Sequence, residues 1–272
     1  MEIMEYLING LCDSAGKTTA MVGLFQNFDK DMDVNLFKPF AANDYWHDHS
    51  VIVDSLEKGV LFGHDAKVLS NFTEQREVEI NPIHRVWAPE SVVGQGIGVG
   101  GSGSTMILDR VFDGNDTTFV INSEIALPKK FETLLDSADR VIEISTVEEL
   151  NNLSEDLYVS TVEQRYKKIS KTDKLMVESY SDIAMPLNFS PDVVISIEPG
   201  KVHISDGQKY KNAYTMHRER WKDYSRELKT RKILNMTQPT TIKIQPSPLN
   251  DISEAGEVYS KVYQKMKELY TD

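Results

Sequence analysis

The sequence predicts a three-layer α/β fold, a mostly parallel central sheet flanked by helices, as one domain over residues 1–272. Two observations predict it. The chain opens with a short apolar segment, a glycine-bounded polar loop and a helix-like run, and beyond that short apolar strands alternate with helical stretches. The composition permits it: 40% hydrophobic and 26% charged residues exclude general disorder, and 272 residues can fill a single core. A net charge of −12, from 42 acidic and 30 basic side chains, argues against nucleic acid or an anionic membrane as a partner. The single cysteine, Cys12, excludes an intramolecular disulfide and a cysteine-rich zinc site. The N-terminal residues have acids where a signal peptide has basic residues, and no window reaches the length of a transmembrane helix, so a cytoplasmic location is expected.

Residues 4–8 read as a strand. Gly10-Leu-Cys-Asp-Ser-Ala-Gly16-Lys17-Thr18-Thr19 follows, then the helix-like AMVGLFQNF. Strand, glycine-bounded loop and helix form the context of a phosphate-binding loop, here with five residues between the glycines. Amides of Asp13, Ser14, Ala15 and Gly16 and the first helical turn would face one concavity. Lys17 reaches toward the β- and γ-phosphates, and the Thr18 hydroxyl is a candidate Mg²⁺ ligand. Cys12 reads as a loop filler.

Val34–Phe37 is the second expected strand. Lys38-Pro39 lies at its carboxyl end, where ligands of an open parallel sheet bind. Asp48 precedes the amphipathic run HSVIVDSLEKGVL and is at once a candidate helix N-cap and a candidate metal ligand. Residues 92–104 carry six glycines. Gly96-Ile-Gly98-Val-Gly100-Gly101 fits a dinucleotide pattern in spelling, but Ala88-Pro89-Glu90-Ser91 before it reads as a turn. The segment is expected to be a mobile loop, with closure on a bound phosphate or acyl group as the alternative.

Further along, 117–124 and 141–145 read as strands around a helix at 128–140, and 157–166 as a strand-to-helix unit. Lys174–Glu178 and Asp192–Glu198 are apolar runs suited to buried parallel strands. Glu178 then ends a strand on the ligand side, to bind Mg²⁺ or orient a nucleophile, or else to sit solvated at the sheet rim; Asp182 is a weaker candidate for the same role. Residues 209–232 hold nine basic side chains against three acids, with Tyr210, Tyr214, Trp221 and Tyr224 interleaved. They read as exposed helices with aromatics turned to the core, the alternative being contact with an anionic substrate or nucleotide. IKIQP is an expected edge strand, and residues 250–270 an amphipathic closing helix with Ile252, Val258, Val262, Met266 and Leu269 on its apolar face. The six histidines have no metal-ligand spacing.

The loop with its five intervening residues, together with Lys38-Pro39, resembles dethiobiotin synthetase and the broader P-loop group that includes cobyrinate amidases and MinD-like ATPases. Overall the chain most resembles archaeal proteins described as predicted P-loop ATPases or GTPases. Asn81-Pro82 and Pro89 resemble the family's substrate-side segment, and Val177-Glu178 its Val-Glu-Gly strand end. The resemblance implies an ATP- and Mg²⁺-dependent enzyme that activates a small carboxylate or carbamate by phosphoryl transfer. Lys17 and Lys38 would be catalytic, Gly10, Asp13, Ser14, Ala15, Gly16, Lys17, Thr18 and Thr19 would hold the nucleotide, and Thr18, Asp48 and Glu178 the metal. The alternative is a regulatory or metallochaperone-type NTPase acting through a protein partner. ATP is expected over GTP because the sequence has no Asn-Lys-x-Asp tetrapeptide. Expected partners are a small anionic substrate and a second copy of the chain. Leu11-Cys12 stands where MinD-like proteins carry an additional lysine, so a dimer built by reciprocal insertion of that lysine is not expected. The family's loop aspartate falls one position before Asp13, Glu178 is followed by Ser-Tyr-Ser, and residues 90–165 have no counterpart.

Overall fold

The computed structural model describes residues 4–100, 103–221, 227–246 and 251–270. The chain divides into two compact units, one of residues 1–37 and 169–272, the other of residues 38–168. It enters the first unit with Met4–Gly10 (β1), Lys17–Phe25 (α1) and Val34–Phe37 (β2). The second unit then runs through Phe40–Asp44 (β3), His49–Lys58 (α2), His64–Ser70 (α3), Glu77–Ile80 (α4), Ile83–Pro89 (β4), Glu90–Val93 (α5), Ser104–Phe112 (β5) and Thr117–Asn122 (β6). Glu132–Asp136 (α6), Arg140–Ile144 (β7), Val147–Leu153 (α7) and Val159–Ile169 (α8) complete it. The return to the first unit brings Lys174–Glu178 (β8), Val193–Glu198 (β9), Lys201–Asp206 (β10), Gly207–Trp221 (α9), Thr230–Leu234 (α10), Thr240–Lys243 (β11) and Ala255–Tyr270 (α11).

The architecture is three-layer α/β with mixed sheets. In the first unit the strand order is β11-β10-β9-β1-β8-β2. The four strands β9, β1, β8 and β2 are parallel, while β10 and β11 run antiparallel at the edge. Tyr6 and Asn9, three residues apart on β1, point to opposite faces. The Tyr6 ring packs on Phe28, and Phe28 on Tyr263 of α11, at centroid distances of 5.6 and 5.5 Å. On the other face, Asn9 Nδ2 donates to the Tyr210 hydroxyl of α9 at 2.9 Å and to the Ala184 carbonyl at 3.0 Å. The helices therefore cover both sides of the sheet.

The second unit holds the order β3-β4-β5-β6-β7, with β3·β4 and β6·β7 parallel and the central pairs antiparallel. One face buries Val86, Leu108 and Phe119 against Ile52 of α2 and Leu134 of α6. The other carries a buried polar pin. Arg85 donates to both oxygens of Asp109, at 2.8 and 2.6 Å, and the Tyr158 hydroxyl donates to the same carboxylate at 2.6 Å. Removing Arg85 would leave the buried Asp109 carboxylate without its opposite charge.

The expectation of one mostly parallel sheet is corrected here. A short turn gives one of the antiparallel pairs: Glu198 and Lys201 close a β9–β10 hairpin over Gly200, whose φ is +80°. Residues 154–169 are helical throughout, a π-turn over Ser154–Tyr158 running into α8, so 157–166 contain no strand. Ala88 and Pro89 close strand β4 and are no turn. The glycine segment after them leads into strand β5 instead of a helix, and Gly98 bridges Thr105, so the dinucleotide pattern fails from its other side. Part of that segment, residues 101–102, lies outside the described residues, as does Tyr224. On α11 the buried residues are Ala255, Tyr259, Val262 and Met266, and Leu269 is exposed. No described helix is long and apolar enough to cross a membrane.

Gly23 sets how closely α1 approaches α11: a Cβ there would lie 2.5 Å from Tyr259 Cδ2 and 2.7 Å from the Ala255 carbonyl oxygen. Gly23→Ala should therefore destabilise the protein by about 1–3 kcal/mol despite the better helix former, read as a lower urea midpoint at unchanged slope.

Candidate functional site

The site is built on the carboxyl ends of β1 and β8. These strands pair in parallel with Ile8 opposite Glu178, and the apolar run Leu175–Val177 is wholly buried. From Gly10 the chain turns over its own strand end. A Cβ on Gly10 would sit 3.0 Å from the Cys12 carbonyl oxygen and 3.2 Å from both Ala15 Cβ and Lys17 Nζ, so a side chain there would crowd the wrap of the loop. Ser14 and Gly16 take positive φ, +52° and +90°, and Gly16 is the N-cap residue of α1. The amides of Asp13, Ser14, Ala15 and Gly16 donate to no acceptor among the described residues.

Lys17 and Thr18, in the first turn of α1, tie this loop to the segment that leaves β8. The Lys17 ammonium is buried and donates to the Ser181 carbonyl at 2.7 Å. The Thr18 hydroxyl donates to Glu178 Oε1 at 3.1 Å. Ser181, itself at φ +47°, donates its hydroxyl to Asp13 Oδ1 at 2.6 Å. Asp182 next to it receives Lys229 at 2.7 Å. Gly10, Asp13, Ser14, Ala15, Gly16, Lys17, Thr18, Thr19 and Glu178 thus belong to one strand–loop–helix unit and the strand beside it. Ser181 is the member that sequence reasoning missed. Its signal was faint: a polar residue three positions past a strand end is ordinary until the strand pairing is known.

Lys38 and Asp48 belong to the other unit. Lys38 pairs with Asp65, its amide donates to the Ile80 carbonyl at 2.8 Å, and its own carbonyl accepts from Asn81 Nδ2 at 2.8 Å. Asp48 occupies the N-cap position of α2 but makes no side-chain cap bond. Its Oδ2 accepts instead from Asn43 Nδ2 at 2.8 Å and from the Asp44 amide at 2.9 Å.

The donor set does not fit Mg²⁺, which corrects the expectation for Thr18, Asp48 and Glu178. Among the described residues no three His, Cys, Asp or Glu side chains converge to hold a metal ion. The physical reason is local. Asp48 is spent on Asn43 and Asp44, Glu178 accepts from Thr18, and Asp13 accepts from Ser181. A hard divalent cation gathers several oxygens about one point, and these carboxylates do not supply it.

No family model, no curated protein and no solved structure matches this chain.

Near Lys38, His84 lies opposite Arg110 in the β4–β5 register. His84 is fully buried, and neither ring nitrogen has a hydrogen-bond partner among the described residues. The Arg110 guanidinium donates to the carbonyls of Leu61, Pro82 and Asn81 at 3.1, 2.8 and 2.7 Å. Burial, reinforced by the nearby Arg110 charge, pushes His84 down to about 3 from its ordinary 6.5. The unfolded chain takes up this proton near 6.5 and the folded one resists, so the contribution is present above that pH and lost as pH falls toward 3. Stability should drop by about 1.4 kcal/mol per pH unit through that window from this group alone. His84→Leu should flatten that limb of the urea-midpoint profile; an unchanged slope would show that His84 does not carry it.

Proposed function

We propose that the chain is a P-loop phosphoryl-transfer enzyme, binding ATP on Gly10–Thr19 and activating a small carboxylate or carbamate. The observation that carries this reading is the combination of four unpartnered amides, Asp13 to Gly16, with the Lys17 ammonium folded over the same turn. Amide donors around a turn that alternates into positive φ make an anion cradle, and the start of α1 adds the positive end of its dipole. The acceptor class comes from the resemblance of the loop to dethiobiotin synthetase.

In this reading the triphosphate takes the place of Ser181 as the partner of Lys17. The acceptor oxyanion attacks the γ-phosphorus in line, the bond to the β–γ bridging oxygen breaks, and the products are a mixed acyl phosphate and ADP. An ionised carboxylate or carbamate is already a nucleophile, so no protein base is required. Lys17 and the loop amides stabilise charge on the transferring group, and Glu178 positions Thr18 at the helix start.

Lys17→Ala removes the charged donor and leaves α1 intact. A hydrogen bond to a charged group is worth about 1.5–3 kcal/mol, so ATP affinity should fall by about tenfold or more in calorimetry, with the circular dichroism spectrum unchanged. Undiminished ATP affinity in the folded variant would remove the reading.

A further inference from the structure

The turn that follows β8 is tied down at both ends. Ser179 prolongs the ladder, its amide donating to the Ile8 carbonyl at 2.8 Å, and its hydroxyl donates to the Ile183 carbonyl at 2.7 Å. Ile183 bridges Lys229. The Ala184 amide donates to the Leu228 carbonyl at 2.7 Å, and its own carbonyl accepts from Asn9 Nδ2 at 3.0 Å. Ser179, Ile183 and Ala184 are all buried, whereas Tyr180, Ser181 and Asp182 between them are half-buried. We propose that Tyr180–Asp182 is a strap that closes the Gly10–Thr19 loop on itself, with the Asp182–Lys229 pair as its latch, so that a phosphate enters only when the strap lifts. This rests on the reading of the loop as a phosphate site and adds how that site is kept shut.

The strap occupies both charged side chains of the loop. The Ser181 carbonyl accepts from the Lys17 ammonium at 2.7 Å, and the Ser181 hydroxyl donates to Asp13 Oδ1 at 2.6 Å. Lys17 is only 7% exposed in this arrangement. Ser181 holds its place at φ +47°, a region that residues with a side chain disfavour and keep only where surrounding bonds impose it. Those bonds come from two sides. Opposite the loop, Lys229 donates to Asp182 Oδ1 at 2.7 Å, and the Thr230 amide and hydroxyl donate to the Asp182 carbonyl at 2.7 and 2.9 Å.

Competition for one buried ammonium fixes the sign of the effect. If a phosphate and the Ser181 carbonyl exclude each other at Lys17, the apparent affinity is the intrinsic one scaled by the fraction of molecules with the strap lifted. Loosening the strap therefore tightens anion binding, the reverse of what losing a hydrogen bond beside a site ordinarily does. Strain works in the same direction, because lifting frees Ser181 from its left-handed backbone.

The test uses the full chain with ATP as the probe, together with acylation of Lys17 by acetic anhydride, read by mass spectrometry without any ligand. Ser181→Ala removes the hydroxyl on Asp13 and should tighten ATP binding in calorimetry by about three- to tenfold. Lys229→Met breaks the latch, an exposed ion pair, and should tighten it by about twofold. Ser181→Gly loses the same hydroxyl but takes φ +47° without strain, so it should bind ATP more weakly than Ser181→Ala. Acylation of Lys17 should quicken in Ser181→Ala and Lys229→Met, while that of the exposed Lys209 stays constant. Faster Lys17 acylation in both variants with no ATP binding in any form, wild type included, would support the strap and sink the phosphoryl-transfer reading. Unchanged Lys17 acylation, ATP affinity that is unchanged or weaker in Ser181→Ala while the wild type binds, or Ser181→Gly binding as tightly as Ser181→Ala would each overturn the strap.

Discussion

The parallel register of β1 against β8 governs the loop. With Ile8 opposite Glu178, the carboxylate comes to the place where the first turn of α1 presents the Thr18 hydroxyl. Side chains alternate along a strand, so a slip of one residue would turn Glu178 to the other face and bring Ser179 into its position. Leu175, Met176 and Val177 hold the register, because each is fully buried and a slip would disturb all three environments at once. The bonds from Lys17 to Ser181 and from Ser181 to Asp13 then follow from where β8 ends.

In the proposed reading a phosphate displaces Ser181 from Lys17. An ammonium bonded to a neutral carbonyl gains about 1.5–3 kcal/mol, whereas an anion in the same position adds an opposite charge within a partly desolvated turn. The four open amides of the loop favour the same exchange. The Ser181 carbonyl helps to keep a buried charge satisfied, since an unpartnered buried ammonium would cost more than the contact gains. The positive φ of Ser181 places its carbonyl there, in a conformation a non-glycine residue takes at some cost.

Much of the first unit was legible in the sequence. β8 and β9 carry short apolar runs bounded by turns, as a strand buried on both faces does, and β1 and β2 carry shorter ones. The loop was legible for a different reason, as its glycines and Lys17-Thr18 answer a geometric requirement that few sequences meet by chance. Other elements were hidden. β10, with Lys201, His203 and Asp206, is too polar to read as buried, and its place beside β9 comes from a two-residue turn. β3, β4 and β5 were masked by Asn43, His84, Arg85, Asp109 and Arg110, which break the apolar pattern yet lie buried or nearly so. Arg85 and Asp109 are bonded to each other across strands and Arg110 to backbone carbonyls, pairings that no local window contains. Leu157-Tyr158-Val159 spell a short apolar run that a strand or a helix can hold, and the Asp109 carboxylate that fixes the Tyr158 hydroxyl lies 49 residues away.

Lys38 shows how adjacency in sequence and adjacency in structure part company. It follows β2 directly, and a straight continuation would carry it past the carboxyl end of that strand. Pro39 allows no continued ladder bond on its own nitrogen, and Phe40 already pairs with Ile83 in a different sheet. The Lys38 backbone is accordingly held from both sides by residues 80 and 81, its amide by the Ile80 carbonyl and its carbonyl by the Asn81 side chain. Asn81 also donates to the Ile83 carbonyl, and Arg110 caps the carbonyls of Asn81 and Pro82. Lys38-Pro39 and Asn81-Pro82, two motifs more than forty residues apart, are therefore one bonded piece of backbone. Asn81 is fully buried at its centre, and an apolar residue there would strand the carbonyls it now serves. The side-chain amide and the buried guanidinium divide these carbonyls between them, Asn81 taking those of Lys38 and Ile83 and Arg110 those of Asn81 and Pro82.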